Sequence, residues 1–278
     1  MPQTTLVTGS STGFGRATVR RFARAGWNVI ATLRTPEAGR EFHGLDNVLV
    51  TRLDVQDGAS ITSAVEAGIA RFGAIDALIN NAGFGLYGVF ESTPREKVAE
   101  QFDVNLFGLM DVTRAVLPQM RRQRSGVILN ITSGAGVFGV PMSSLYCASK
   151  FAVEGFSEAL SYELVGMGIT VKLIEPGGVL DSQFVSRSGS EAARTGRIED
   201  YAPFLAHADE VFAGLRNTRA GATSDDVAEV IFGAATDGTD QLRYVATPQI
   251  QALVKARRET SEAEYLALMR KSFGYRRD

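Results

Sequence analysis

One cysteine, two histidines and one tryptophan in 278 residues exclude several classes of protein at once. A lone thiol, Cys147, cannot form an intrachain disulfide, and His43 and His207 are too few and too scattered to build a metal-ligand cluster. Excess charge is also missing. The chain has 29 Lys and Arg against 31 Asp and Glu, a formal net charge of -2, so it lacks the basic footprint that nucleic acid or an anionic membrane demands. The short clusters Arg121, Arg122, Arg124 and Arg257, Arg258 read as solvated helix ends. No apolar run approaches membrane-spanning length. The first residues carry no charged segment leading into an apolar run and a cleavage site, because a strand already begins at Thr4. The expected location is a reducing compartment, the cytoplasm, with neither nucleic acid nor membrane as partner.

What is present is alternation. Short β-branched apolar runs at Thr4 to Thr8, Asn28 to Thr32, Val48 to Leu53, Ala77 to Asn80, Gly126 to Ile131, Thr170 to Glu175 and Leu242 to Thr247 are separated by segments of helical period. Strands without an exposed face belong to a parallel sheet covered on both sides. The fold class is therefore α/β: a doubly wound parallel sheet of about seven strands with helices on both faces, a single-domain Rossmann fold over residues 1–278. Val19, Phe22, Ala23 and Gly26 mark one buried helix face, and Ile61, Ala64, Val65, Gly68 and Phe72 another. After Pro94 a long seam runs through Val98, Phe102, Asn105, Leu109, Val112 and Val116, and its one amide requires buried partners. From about 181 to 223 the sequence shows no clear strand and only a weak helical period, and it reads as a substrate lid. Residues 249–273 read as two C-terminal helices.

The first strand runs straight into Thr8-Gly9-Ser10-Ser11-Thr12-Gly13-Phe14-Gly15 and then a helix, a tight turn that brings backbone amides against an anion such as a pyrophosphate. The same residues satisfy G-x-S-x-G, with Ser11 as a hydrolase nucleophile. That elbow normally follows a central strand after an oxyanion loop, and only seven residues precede Thr8. Further on, Ser133 follows a strand, and Tyr146 and Lys150 stand four residues apart in a helix begun near Ser143 or Ser144, so that they share one face. A nearby ammonium is expected to lower the phenol pKa and to serve proton transfer.

Together Thr8-Gly9-x-x-x-Gly13-x-Gly15, Asn80-Asn81-Ala82-Gly83, Asn105, Ser133, Tyr146-x-x-x-Lys150 and Pro176-Gly177 resemble the short-chain dehydrogenase/reductase family in order and spacing. The resemblance is strong from Thr4 to about Val179 and only architectural beyond. It implies Tyr146 as general acid in carbonyl reduction and base in the reverse direction, with Ser133 on the reacting oxygen. Lys150 is implied on the nicotinamide ribose and Asn105 on a relay water. The implied cofactor contacts are Gly9, Ser11, Gly13, Phe14, Gly15, Arg34, Asp54, Val55, Asn81, Ala82, Gly83, Tyr146, Lys150, Pro176, Gly177 and Val179. After the second strand Arg34 stands where an NAD enzyme has a carboxylate, with Thr32 as a further hydroxyl. NADP(H) is thus favoured over NAD(H). Leu180, Asp181 and Ser182 follow the Pro-Gly turn where the family commonly has a threonine.

The expected activity is NADP(H)-dependent interconversion of a ketone or aldehyde with its alcohol. The substrate is a small carbonyl or alcohol met by Val137, Phe138, Phe184, Tyr201, Phe204, Leu205 and Phe212, with Arg187, Arg194 and Arg197 leaving an anionic substrate open. A homodimer or homotetramer is implied by family. Alternatives are a non-catalytic NADP(H)-binding redox sensor and a serine hydrolase using Ser11.

Overall fold

A computed structural model describes residues 2–179, 198–217 and 222–274. Seven strands form one parallel sheet in the order β3-β2-β1-β4-β5-β6-β7: β1 (Thr4–Val7), β2 (Asn28–Leu33), β3 (Val48–Arg52), β4 (Ala77–Asn80), β5 (Gly126–Ile131), β6 (Ile169–Glu175) and β7 (Arg243–Val245). The helices are α1 (Gly13–Arg24), α2 (Gly58–Phe72), α3 (Arg95–Phe102), α4 (Gly108–Gln123), α5 (Ser144–Leu164), α6 (Ala202–Asn217), α7 (Ser224–Thr236), α8 (Gln251–Glu259) and α9 (Glu262–Phe273).

Two-residue periodicity explains the two-sided core. Val7, Val29, Ala31, Ile79 and Leu129 face one layer, where Val19 and Phe22 of α1 meet Val227 and Ile231 of α7. Their neighbours Leu6, Ile30, Leu78 and Ile128 face the other, against Ile61 and Val65 of α2, Val112 and Val116 of α4, and Leu160 and Leu164 of α5. A strand buried on both faces reads as an unbroken apolar run, which is why the strand positions were visible in the sequence.

Three features differ from the expectation. The long helix after Pro94 is interrupted by a π-helical turn, Asp103–Phe107, that carries Asn105 between α3 and α4. The last strand shrinks from Leu242 to Thr247 down to Arg243–Val245. Part of the expected irregular segment is helical, namely α6, while 180–197 and 218–221 lie outside the described residues. Among the described residues no helix is long and apolar enough to cross a membrane.

One buried charge holds β6 to the end of α7. Lys172, 1% exposed, donates to Asp237 Oδ1 at 2.5 Å, to the Ala234 carbonyl at 2.8 Å and to Tyr244 Oη at 3.1 Å. Partial burial pushes the Asp237 carboxyl up, but hydrogen bonds from Lys172, Tyr244 and Thr239 outweigh it and hold the group well below the usual carboxylate range. Asp237→Asn is expected to cost about 1–3 kcal/mol at pH 7, because the ammonium stays buried without its counter-charge. A depressed pKa contributes stability above the ordinary carboxylate value and loses it as pH falls through the folded one. Urea unfolding at pH 7 and at about pH 3 checks this: the gap between wild type and variant should narrow in acid.

Candidate active site

The turn after β1, the end of β4, the end of β5 and the turn after β6 all emerge at the C-terminal edge of the sheet. There the strand order reverses between β1 and β4, the place where open α/β sheets bind ligands. Gly9 and Gly13 have φ of 69° and 52°, the left-handed region that favours glycine. At Gly15 a Cβ would lie 2.3 Å from the Gly9 carbonyl oxygen and 2.5 Å from Asn81 Nδ2, so the turn closes only without side chains. A Cβ at Gly13, in contrast, would meet nothing within 4 Å. Helix α1 opens without a side-chain cap and without an acidic residue in its first turn. Its first amides therefore fit an anion such as a pyrophosphate. Ser11 and Phe14 are half-buried in the same turn.

Thr8 organises the junction with β4. Its hydroxyl accepts from the amides of Asn81 and Ala82, both at 3.0 Å, and Asn81 Nδ2 donates back to the carbonyls of Thr8 and Gly9. Asn81, just beyond β4, thus shapes the glycine turn after β1. Gly83 is exposed beside it. Arg34, just past β2, is exposed, as a residue reaching for a terminal phosphate would be. Thr32 does not join it: it is fully buried and its hydroxyl donates to the Val7 carbonyl at 3.0 Å. Asp54 Oδ1 accepts from the Gln56 amide at 3.2 Å, and Val55 is buried in the core below the sheet.

Ser133 leaves β5 in extended backbone, and its hydroxyl accepts from the Ala135 amide at 3.1 Å. Tyr146, half-buried near the start of α5, stands close enough to the Ser133 side chain for that hydroxyl to pull the phenol pKa down. Lys150 is 5% exposed. Its Nζ donates to the Ile131 carbonyl at 2.8 Å and lies 5.9 Å from the centre of the Tyr146 ring. The three sequence-selected groups are therefore brought together. The expected depression of the phenol pKa is not found. Burial pushes Tyr146 up to about 12, and the Ser133 hydroxyl opposes this only in part. Burial also brings Lys150 down to about 8, with the charge of Glu154 acting against it.

Asn105, 1% exposed, sits where the π turn displaces the helix register, a feature frequent at functional sites. Its Oδ1 accepts from the Phe84 amide at 3.0 Å, and its Nδ2 donates to the Phe84 carbonyl at 2.9 Å and to Ser149 Oγ at 3.1 Å. Both amide hydrogens are thus spent on protein, so the side chain has no N–H to offer a relay water. It still stands near Lys150: a Cβ at Gly83 would lie 3.2 Å from Asn105 Oδ1 and 3.7 Å from Lys150 Nζ. Sequence reasoning missed a partner. Gln101, fully buried one turn earlier, accepts from the Leu86 amide and donates to the Phe84 carbonyl, both at 2.8 Å. A second amide on the same face at i−4 was the available signal.

The Pro176-Gly177 turn is pinned from two sides. The Pro176 carbonyl accepts from the Gly134 amide at 2.9 Å, and the Gly177 amide donates to Thr247 Oγ1 at 2.8 Å. Val179 is buried in the core. Leu180, Asp181, Ser182, Phe184, Arg187, Arg194 and Arg197 lie outside the described residues. Beside the start of α5 opens a groove of about 440 Å³ lined by Val89, Phe90, Glu91, Met142, Tyr201 and Phe204 among others. Tyr201 Oη donates to Glu91 Oε2 at 2.9 Å across it. Val137 and Phe138 are instead buried against Ile250, Val254 and Tyr265 of the C-terminal segment.

Comparison with known proteins agrees with this architecture. Residues 3–192 match the family model described as short chain dehydrogenase. An uncharacterized oxidoreductase of Schizosaccharomyces pombe is 37% identical over 87% of this chain and 100% of its own. Human 17-beta-hydroxysteroid dehydrogenase type 1 is 34% identical over 97% of this chain and 85% of its own. Among solved structures, a short-chain dehydrogenase/reductase from Burkholderia phymatum in complex with NAD has a TM-score of 0.80 at 26% identity, covering 100% of this chain and 98% of that one. A serine dehydrogenase complexed with NADP+ has a TM-score of 0.74 at 31% identity, covering 87% and 94%.

Proposed function

The chain belongs to the short-chain dehydrogenase/reductase family of oxidoreductases, and on that premise we propose that it interconverts a ketone or aldehyde with the corresponding alcohol, using NADP(H). The observation that carries the reading is the meeting of the Ser133 and Tyr146 hydroxyls, with the Lys150 ammonium beside them, at the C-terminal edge of the sheet. One domain over residues 1–278 serves both cofactor and substrate. The family assignment speaks against a serine hydrolase, and Ser11 is read as part of the phosphate turn.

The chemistry the bound cofactor supplies is hydride donation to the carbonyl carbon or its acceptance from the carbinol. The protein's part is to hold the oxygen and manage its proton. Ser133 and Tyr146 donate to the carbonyl oxygen, and Tyr146 delivers its proton as negative charge develops there. A phenol held at about 12 keeps its proton throughout the neutral range, so the free enzyme is ready for reduction. Lys150 binds the nicotinamide ribose and replaces the phenol's proton. Asn105 and Gln101 hold Phe84 and thereby the Asn81-Ala82-Gly83 segment. The glycine turn takes the pyrophosphate, Arg34 a ribose phosphate, and Asn81, Ala82 and Gly83 the adenosine side. Pro176, Gly177 and Val179 flank the nicotinamide. The bound cofactors of the two neighbouring structures, one NAD and one NADP+, support the dinucleotide but leave the preference to Arg34.

The groove walled by Val89, Phe90, Met142 and Phe204 suits a ketone with an apolar or aromatic flank. The name of the human relative, which acts on a steroid hydroxyl, supports a secondary alcohol of that kind. NADPH consumption at 340 nm against apolar, aromatic and acidic ketones tests the reading. Turnover with an apolar ketone is expected, whereas tight NADPH binding without turnover on any of them would replace the enzyme by a redox sensor.

A further inference from the structure

Glu154 lies one helical turn beyond Lys150 on α5 and is 7% exposed. A carboxylate buried there is unfavourable unless it is paired. Arg243 on β7 provides the partner: its Nε donates to Glu154 Oε2 at 2.9 Å, while its Nη2 pairs with Glu158. Glu175, the fully buried last residue of β6, lies 3.8 Å from the same Nε and pairs with Arg258 of α8. Compensation is incomplete: beyond Arg243, Glu154 has only the Thr132 hydroxyl beside it, and Glu175 Oε2 is buried with no hydrogen-bond partner.

The cluster is packed against the catalytic turn. A Cβ at Gly136 would lie 2.5 Å from Thr132 Oγ1, 3.1 Å from the Lys150 carbonyl oxygen and 3.2 Å from Glu154 Cγ. The charged groups around Glu154 among the described residues are Lys150 and Glu158 on its own helix, Glu175 on β6 and Arg243 on β7, with Arg258 of α8 acting through Glu175. Three glutamates against two arginines leave one negative charge in surplus. Lys150 itself donates to the neutral Ile131 carbonyl, and Glu154, one turn along the same helix, is the charge that acts to keep its proton on.

Resting on the reading of Lys150 given above, we propose that Glu154 is a positioning residue that acts through Lys150: its buried carboxylate carries the surplus charge that keeps the ammonium protonated and in place beside Tyr146. The order of titration suits the task. Burial and Glu175 push Glu154 up to about 7 against the pull of Arg243, while burial brings Lys150 down to about 8. As pH rises the carboxylate forms first, and it is present over the range in which the ammonium would otherwise lose its proton.

Lysine-selective ¹³C NMR of the full-length protein tests this without cofactor, because the chain has only five lysines. The Lys150 Cε titration midpoint is expected to fall by about one unit in Glu154→Gln, and the basic limb of the kcat/KM profile for ketone reduction to move with it. Glu154→Asp, which keeps the charge, should restore most of the midpoint. Glu158→Gln, at the half-exposed end of the cluster, should move it the same way by less. An unmoved midpoint in Glu154→Gln overturns the proposal, as does an unmoved midpoint in Glu158→Gln should the first variant fail to fold. A displaced midpoint with an unchanged pH–rate profile upholds the influence of Glu154 on Lys150 and instead contradicts the catalytic reading of Lys150.

Discussion

Tyr146→Phe is expected to lower kcat/KM for ketone reduction by about 10³-fold while changing NADPH affinity less than about threefold. The substitution removes one oxygen. It leaves the ring in its place and the Ser133 hydroxyl still accepting from the Ala135 amide, so the melting temperature should move little. What is lost is the only proton that this constellation can deliver to the developing alkoxide from a group already beside Ser133. With the phenol gone, water, Ser133 or the more distant Lys150 ammonium would have to supply that proton; water and Ser133 are weaker acids than even a phenol held near 12, and Lys150 acts through the missing hydroxyl. Steady-state NADPH oxidation and a fluorescence titration of the same preparation separate the two quantities. An equal loss of affinity and rate would indicate a collapsed site rather than a missing acid.

Arg34→Ala should reduce the preference for NADPH over NADH by about 10- to 100-fold, through NADPH alone. The expectation follows from placement and from what is absent beside it. Arg34 is exposed just beyond β2, with no carboxylate until Glu37 to meet a ribose 2′-hydroxyl. A charge-assisted hydrogen bond from a guanidinium to a phosphate is worth about 1.5–3 kcal/mol, which converts to that range. The buried Thr32 hydroxyl, spent on Val7, cannot share the task, so the whole effect should fall on this one residue. Comparing kcat/KM for both cofactors in wild type and variant checks it. A variant that loses activity with NADPH and NADH alike would place Arg34 in the fold of the loop instead.

The sheet was legible because burial on both faces writes each strand as an apolar run; β4 and β5 begin and end where the sequence placed them. The last strand was not, since Ala246 gives β6 only one closing bond, to the Glu175 carbonyl at 2.9 Å, and Thr247 turns its hydroxyl to Gly177. The π turn at Asn105 left no trace in a seam whose apolar spacing passes unchanged through it. Helix α6 escaped because Phe204, Ala208, Val211 and Phe212 keep helical spacing only after Ala202, and the surrounding window diluted it. The groups proposed to react, Ser133, Tyr146 and Lys150, were chosen from local spacing, and the fold places them near one another. Their electrostatics were not legible, because a phenol's pKa depends on the volume of protein around it: burial here outweighs the pull of Ser133, and the lysine at i+4 is not among the causes. Glu154 is the extreme case: an acid on a helix reads as solvated, and only the fold brings Arg243, 89 residues away, onto it.

The central claim, that this chain moves hydride between a nicotinamide and a carbonyl carbon, is tested most directly with NADPH deuterated at the transferring carbon and an apolar aromatic ketone. Mass spectrometry of the product should find one deuterium on the carbinol carbon in wild type and almost none formed by Tyr146→Phe in the same time. Unlabelled alcohol, or unchanged ketone after prolonged incubation of the wild-type protein with saturating NADPH across a range of ketones, would contradict the account.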